Sequence, residues 1–176
     1  MKNTLTIKTK LFLKLFLILG LTFGIVMPIM NYLLGVEIEL LTLILECIIF
    51  GSLMSWFITT QTLNTLKSNG ITELDEKILK VKQIEVIQKS FTIAQLSMLL
   101  KQDNKTKKWK QLVDGTTIKI RTKISPHSWG ENILISILEN QIKIESKSRL
   151  KIALIDPGIN YINVRTIKDI LDKSNS

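Results

Sequence analysis

One histidine, two carboxylates and two serines are the residues with which this chain could carry out acid-base chemistry. His127, Glu131 and Asp156 could act together as an acid-base cluster in a hydrolase. Such a reaction needs a nucleophile beside a base that a third group orients. Ser125 and Ser128 lie close to His127, but no nucleophile-elbow, P-loop or dinucleotide-binding motif surrounds them. Hydrolysis at His127 is therefore an alternative, and the main prediction is that the protein is not an enzyme.

The chain has few residues that could support metal or redox chemistry. Cys47 and His127 are the only cysteine and the only histidine in the chain. A single copy of each cannot form a disulfide framework, a zinc cluster or a multi-histidine metal site within one chain. We expect no metal and no cofactor.

Glu46 is an acidic residue inside an apolar stretch, LILECIIFGSLMSW. A carboxylate deep in a membrane costs roughly 2.5–3.5 kcal/mol on insertion scales, so it should be neutral, paired with a polar group or drawn toward the interface. Polar partners at a similar depth are Asn31, Tyr32 and Thr42. Two interpretations remain open: Glu46 holds helices together, or several copies use it in an ion or proton path.

Two long apolar segments must position Glu46. LKLFLILGLTFGIVMPIMNYLL and LLTLILECIIFGSLMSWFIT are each about as long as the roughly 20-residue helix that crosses a bilayer. We predict spans at about residues 12–34 and 40–60, within a transmembrane hairpin over 1–66. The first apolar run continues to Leu34 without a small-x-small cleavage site after a short core, which favours a span over a cleaved signal peptide.

Charge predicts how this hairpin is oriented. Four of the 24 basic residues lie before or at the start of the apolar region, the last of them Lys14, and the other 20 follow it. The short loop between the spans contains Glu37 and Glu39 but no base. Because basic segments stay in the cytoplasm, we expect a multi-pass protein of the bacterial inner membrane with both termini cytoplasmic. The lipid bilayer is its first partner.

Small residues recur every four positions in both predicted spans. They are Gly20, Gly24 and Pro28 in the first span, and Cys47, Gly51 and Ser55 in the second. This spacing places each set on one helix face, and small residues let two backbones approach closely. We expect the two faces to meet, and they could also support a homo-oligomer.

A cytoplasmic domain should follow a linker. Residues 67–77 lose the apolar run and contain Ser-Asn-Gly, which is typical of a connection. From residue 78 to residue 176 the sequence predicts a small α+β domain. Its first segment, ILKVKQIEVIQKS, favours a strand, and Ser90 could then cap the amphipathic helix in FTIAQLSMLLKQ.

Alternating apolar and polar residues then predict an antiparallel meander of four strands. Asp114-Gly115 is a strong signal for a hairpin turn, and Glu139-Asn140 gives a second tight connection. One aliphatic face should be covered by helices, including a last helix in NYINVRTIKDILDK. The residues expected on that face are Ile118, Ile120, Ile124, Ile133, Ile135, Ile137, Ile142 and Ile144.

The opposite face of the meander is predicted to be cationic. It carries Lys119, Arg121 and Lys123, and Lys143 and Lys147 of a neighbouring strand can extend this stripe. Such a stripe suits an acidic protein partner or the anionic lipid surface, although a solvated face explains it too. Nucleic-acid binding is not favoured, because stacking aromatics on this face are not apparent.

Two short signatures carry a resemblance. Ser128-Trp129-Gly130-Glu131 opens one predicted strand, and Asp156-x-Gly158-x-Asn160-x-x-Asn163-Val164 leads into the last helix, with SKSRL between them. Over residues 84–172 the chain resembles a group of small, largely uncharacterised bacterial α+β proteins that share these signatures. Pro157 and Ile159 depart from that pattern, which usually has an aromatic and a lysine there.

The resemblance implies a fold unit and no established activity. From the residues themselves, we expect Trp129 to fill the end of the core and Gly130 to permit a tight turn. Asp156, Asn160 and Asn163 should hydrogen-bond around the helix start. The alternative uses the two asparagines to position a substrate for His127. The sequence thus predicts a membrane-tethered interaction domain.

Overall fold

The structure is a computed structural model that describes residues 2–37, 39–124, 128–150 and 156–174. The chain divides into two compact units, Met1–Asp75 and Glu76–Ser176. Two long apolar helices form the first unit, and a five-stranded antiparallel sheet with helices forms the second. The coarse architecture predicted from the sequence is therefore confirmed.

The first unit is a pair of helices, α1 (Lys2–Leu34) and α2 (Leu40–Ser68). Both are long and apolar enough to cross a membrane, and only 6% and 11% of their most apolar windows are buried in the protein. The core helix of a soluble protein would be mostly buried. Both helices extend beyond the predicted spans, and α1 continues through Pro28.

Gly70 ends α2. Its φ of +73° lies in the left-handed region that glycine adopts without strain. The Gly70 N–H donates to Lys67 O at 3.0 Å, and the Ile71 N–H donates to Leu66 O at 3.0 Å. This pair of bonds is a Schellman motif, which satisfies two carbonyls at the end of the helix. The predicted linker thus begins with a defined helix end.

The second unit begins with a short 3₁₀ helix at Glu76–Leu79 and contains one open sheet. The strands are β1 (Lys82–Gln88), β2 (Lys110–Asp114), β3 (Thr117–Arg121), β4 (Glu131–Leu138) and β5 (Gln141–Ser148). Their order is β1-β5-β4-β3-β2, and all neighbours are antiparallel. Strands β2 to β5 are the predicted meander. The strand predicted before the first sheet-covering helix is β1, and it joins the four-stranded meander as an edge strand beside β5, a pairing that the sequence did not predict.

Two helices cover one face of this sheet. They are α3 (Ile93–Gln102) and α4 (Ile159–Lys173). Thr92, and not Ser90, caps α3: its hydroxyl accepts the Gln95 N–H, and the Gln95 side chain accepts the Thr92 N–H. This reciprocal capping box satisfies two N–H groups that the helix leaves free.

The core lies between the helices and the inner face of the sheet. Its sheet residues are Ile87, Ile118, Ile120, Ile133, Ile135, Ile142 and Ile144, and its helix residues are Leu96, Leu100, Val164, Ile167, Ile170 and Leu171. Ile137 packs against this cluster and is partly buried. Ile124 was predicted to join it, but β3 ends at Arg121 and the Ile124 side chain is 64% exposed. The alternation of inward and outward side chains ends with the strand, so it does not determine which way the residues beyond Arg121 point.

Candidate functional site

A line of basic side chains crosses the outer face of the sheet, the face that the helices do not cover. Strand register pairs Lys110 with Arg121, Arg121 with Asn132, Asn132 with Lys147, and Lys147 with Lys82. All four basic residues are exposed. Strands lie about 4.8 Å apart, so the line spans roughly 19 Å. We call Lys82, Lys110, Arg121 and Lys147 the cationic row.

Glu145 neutralises part of this row. Its carboxylate lies 3.1 Å from Lys82 Nζ and 3.6 Å from Lys147 Nζ. Partial burial raises the pKa of Glu145, but hydrogen bonds and charge from these two lysines outweigh it and hold the pKa below its ordinary value. In the described part of the chain, no ion pair involves Lys110 or Arg121. The row therefore keeps a net positive charge.

The predicted stripe of Lys119, Arg121 and Lys123 is exposed, as a stripe for a partner requires. Lys119 forms an ion pair with Asp114 at 2.7 Å, which lowers the pKa of Asp114. Lys123 lies beyond the end of β3. Register pairs Lys143 with Ser136 and with Val86, so it lies on the same outer face as Lys147.

Aliphatic side chains share this face. Leu112, Ile84 and Val86 are 63%, 48% and 50% exposed. Aromatic side chains are missing from the outer-facing positions of all five strands. The surface therefore combines positive charge with apolar area.

A second cluster of polar residues is buried where α4 begins. Asp156 is only 4% exposed, and its carboxylate accepts the Ile159 N–H at 3.1 Å and the Asn160 N–H at 2.9 Å. Gly158 has a φ of +83°, which lets the chain turn into the helix. Burial raises the pKa of Asp156 to about 7, although the two backbone N–H groups oppose this shift. The nearby charge of Glu131 adds to the rise.

Asn160 links α4 to two strands. Its Oδ1 accepts the Ser146 hydroxyl at 2.7 Å, and its Nδ2 donates to Val81 O at 2.8 Å, next to the start of β1. Asn163 Nδ2 donates to Ser146 Oγ at 3.4 Å. Both asparagines are buried, so these bonds replace water for groups that would otherwise be costly to bury.

Glu131 is the second buried acid in this region and is 5% exposed. Ser128 Oγ and Thr122 Oγ1 both donate to its carboxylate, and Thr122 Oγ1 also accepts the Glu131 N–H at 2.7 Å. The Gly130 N–H donates to Ser128 Oγ at 2.9 Å. These bonds join the end of β3 to the start of β4. Ser128 is thus bonded within the signature and serves its local structure.

Glu131 of the first signature and Asp156 of the second are close enough for the charge of Glu131 to raise the pKa of Asp156. The residues of both signatures nevertheless have structural roles. Each polar group named above bonds to a neighbouring element or caps a helix. Trp129 was predicted to fill the end of the core, and this was wrong: its side chain is 65% exposed, because Gly130, with a φ of +79°, turns the chain there. His127 and Ser125 lie outside the described residues, so the hydrolase alternative stays a prediction.

The small residues of the first unit come together. A Cβ placed on Gly51 would lie 3.3 Å from Gly20 Cα, and one placed on Gly24 would lie 3.0 Å from Cys47 Sγ. Ser55, one turn beyond Gly51 on α2, is fully buried.

Glu46 is half-buried beside this contact. Among the described residues, no hydrogen bond joins Glu46 to its predicted partners Asn31, Tyr32 and Thr42, and Tyr32 is 86% exposed. Helix packing and an ion path both stay predictions for Glu46.

Sequence reasoning missed several members of both clusters. Lys82 and Lys110 complete the cationic row, but only the sheet register reveals this. Thr122 was not singled out, and Ser146 was quoted only within SKSRL, without a role. Comparison with family models, curated proteins and solved structures finds no match for the chain.

Proposed function

We propose that this chain is a bacterial inner-membrane protein whose two N-terminal helices form a membrane hairpin, with both termini in the cytoplasm. The domain that follows is a binding module for an anionic partner. The cationic row carries this proposal: four basic side chains lie on an open sheet face, and Glu145 balances only one of the charges.

The hairpin supports the membrane part of the proposal. Both helices expose long aliphatic side chains over most of their length, which would be costly in water. The asymmetric distribution of lysine and arginine supports the orientation. Alkaline carbonate should leave the chain in the membrane, and protease added outside intact cells should spare the C-terminal domain. Release by carbonate or external cleavage of the domain would refute this arrangement.

The outer face supports the binding part. Its charge suits an anionic surface, and its exposed aliphatic residues add apolar contact area. The buried polar cluster at Asp156 supports a structural role, since its groups cap α4 and tie it to the sheet. We therefore place binding on the outer face and do not propose an enzyme.

We also propose that residues 84–172 share a fold unit with the small α+β proteins that they resemble. The bonding of Ser128, Glu131, Asp156, Asn160 and Asn163 supports this, because each signature residue holds the sheet or α4 in place.

Binding of a fluorescent polyglutamate peptide to the full chain in neutral phosphatidylcholine nanodiscs tests the anionic surface. Lys110→Gln, Arg121→Gln and Lys147→Gln together should weaken binding roughly tenfold, since an exposed charge pair contributes about 0.2–1 kcal/mol. Added salt should weaken the wild type as well. The matched control replaces three lysines outside the row, Lys101, Lys105 and Lys173, by glutamine. Equal loss in both triple variants would refute a specific surface.

A further inference from the structure

The cationic row crosses the end of the sheet where β3 and β5 finish and β4 begins, beside a group of exposed residues. The end of β3 and the start of β4 meet there: the Thr122 N–H donates to Glu131 O at 3.1 Å. The end of β5 joins them, because the Arg149 N–H donates to Gly130 O at 3.0 Å. Three strand ends therefore bring their flanking residues to one place. We call these residues, Lys123, Ile124, Trp129 and Arg149, the Trp129 rim.

Gly130 allows the rim to form. A Cβ at this position would lie 3.1 Å from Arg149 Cδ and 3.1 Å from Thr122 O. The Arg149 side chain thus lies against the Gly130 backbone, next to Trp129 in sequence. The rim adds two basic side chains to the end of the sheet where Arg121 and Lys147 stand.

The rim also exposes two large apolar side chains. Trp129 is 65% exposed and Ile124 is 64% exposed. An exposed tryptophan next to basic residues is the combination found where proteins meet the boundary between headgroups and acyl chains. This boundary supplies both anionic phosphates for the basic side chains and an apolar environment for Trp129 and Ile124.

The covalent connection favours lipid as the occupant. Residues 69–75 separate α2 from the second unit, and seven residues span at most about 25 Å. If α2 crosses the bilayer, the domain never leaves the vicinity of the lipid surface, and its effective concentration there is high. Even a modest affinity for lipid then suffices for docking.

We propose that the Trp129 rim and the cationic row together form a docking surface for anionic phospholipid headgroups, with Trp129 entering the interface. This inference rests on the proposed function and names the partner of the same surface. Lysine and arginine bind the headgroup phosphates, and Trp129 with Ile124 contacts the upper part of the acyl chains. The linker and this surface would hold the domain against the membrane.

The test uses the full chain with Trp56→Phe and Trp109→Phe, so that Trp129 is the remaining fluorophore. The chain is reconstituted in vesicles of phosphatidylcholine, with or without one-third phosphatidylglycerol. The phosphatidylcholine is brominated near the glycerol end of its acyl chains. We expect strong bromine quenching only with phosphatidylglycerol, and loss of most of this quenching when Arg121→Gln and Lys147→Gln are added. Equal quenching in both vesicles, or full access of aqueous iodide to Trp129 with phosphatidylglycerol, would overturn the inference.

A second measurement avoids the tryptophan substitutions. In a Cys47→Ala background, Ile124→Cys should react with a soluble maleimide several-fold more slowly in phosphatidylglycerol vesicles than in phosphatidylcholine vesicles. Met98→Cys, which is 54% exposed on α3, should react equally in both. Protection of both sites, or of neither, contradicts docking by the rim.

The outcomes separate this inference from the proposed function. Salt-sensitive polyglutamate binding combined with an unquenched Trp129 would leave an anion-binding domain whose partner is a soluble acidic protein. If the wild-type chain neither binds polyglutamate nor shows bromine quenching of Trp129, both proposals are refuted.

Discussion

Replacing Asp156 by asparagine should remove a pH-dependent loss of stability from the second unit. Asp156 is buried without a cation beside it among the described residues, and its pKa is about 7 against an ordinary value of 3.8. Well below pH 3.8 the carboxyl is protonated in both the folded and the unfolded chain. As the pH rises toward 7, the unfolded chain loses this proton first, so the free energy of unfolding falls.

The size of the effect follows from the shift. About three pH units at 1.36 kcal/mol each give a loss of about 4 kcal/mol between about pH 4 and about pH 8. Asparagine cannot ionise and keeps one acceptor for the two backbone N–H groups of Ile159 and Asn160. We expect Asp156→Asn to be about 1 kcal/mol less stable than wild type at low pH, where it lacks one acceptor. Above pH 7 it should be about 3 kcal/mol more stable than wild type.

Urea unfolding of the full chain in a neutral detergent can measure this difference. Trp109 packs against the core, so its fluorescence in a Trp56→Phe background reports unfolding of the second unit. Asp114 and Glu145 have lowered pKa values and lose their stabilising effect as the pH falls. Both variants share those acids, so their contributions cancel in the difference between the two. If the difference in the free energy of unfolding between wild type and Asp156→Asn stays constant from about pH 4 to about pH 8, the argument that Asp156 is a buried carboxyl with a raised pKa is refuted.

Two further predictions concern packing, one in each unit. Asn160→Ala should lower the free energy of unfolding by roughly 2–4 kcal/mol, because Ser146 Oγ and Val81 O both lose a partner. The control is Asn104→Ala, at an exposed asparagine bonded to Lys107, and it should change the free energy of unfolding by less than about 0.5 kcal/mol. Urea melts that show similar losses of stability in the two variants would contradict the bonding of Asn160. In the hairpin, Gly24→Cys should form a disulfide with Cys47 under mild oxidation, since a Cβ there lies 3.0 Å from Cys47 Sγ. Ile25→Cys, at a position that is 63% exposed, should form no such disulfide, and maleimide labelling after denaturation in SDS should find both of its thiols free. Free thiols in oxidised Gly24→Cys would contradict the helix contact.

The sequence predicted elements better than it predicted their assembly. Alternation located β3, β4 and β5 because each buries one face. The Asp114-Gly115 turn located β2, and the apolar runs located both long helices. β1 was recognised as a strand, but an edge strand can pair at either side of a meander, and alternation does not encode which. Thr92 could have been chosen over Ser90, since Gln95 follows it at capping-box spacing.

The candidate site shows the same limit. Lys119, Arg121 and Lys123 are close together along one strand and its end, so they were visible in the sequence. Lys82 and Lys110 reach the row only through strand register. Trp129 was placed in the core on residue type alone, whereas the turn at Gly130 decides where its side chain points.

The pairing of β1 with β5 sets the order in which this protein can be completed during synthesis. β1 is the first strand made, yet its partner is the last, with Lys82 opposite Lys147 and Gln88 opposite Gln141. Until residue 148 has emerged from the ribosome, β1 has an unpaired edge on both sides and cannot be stabilised by its own hairpin. The helical pair, in contrast, needs only residues 2–68. The helical pair can therefore form while the sheet is still unmade, and the second unit should fold only when nearly the whole polypeptide is available.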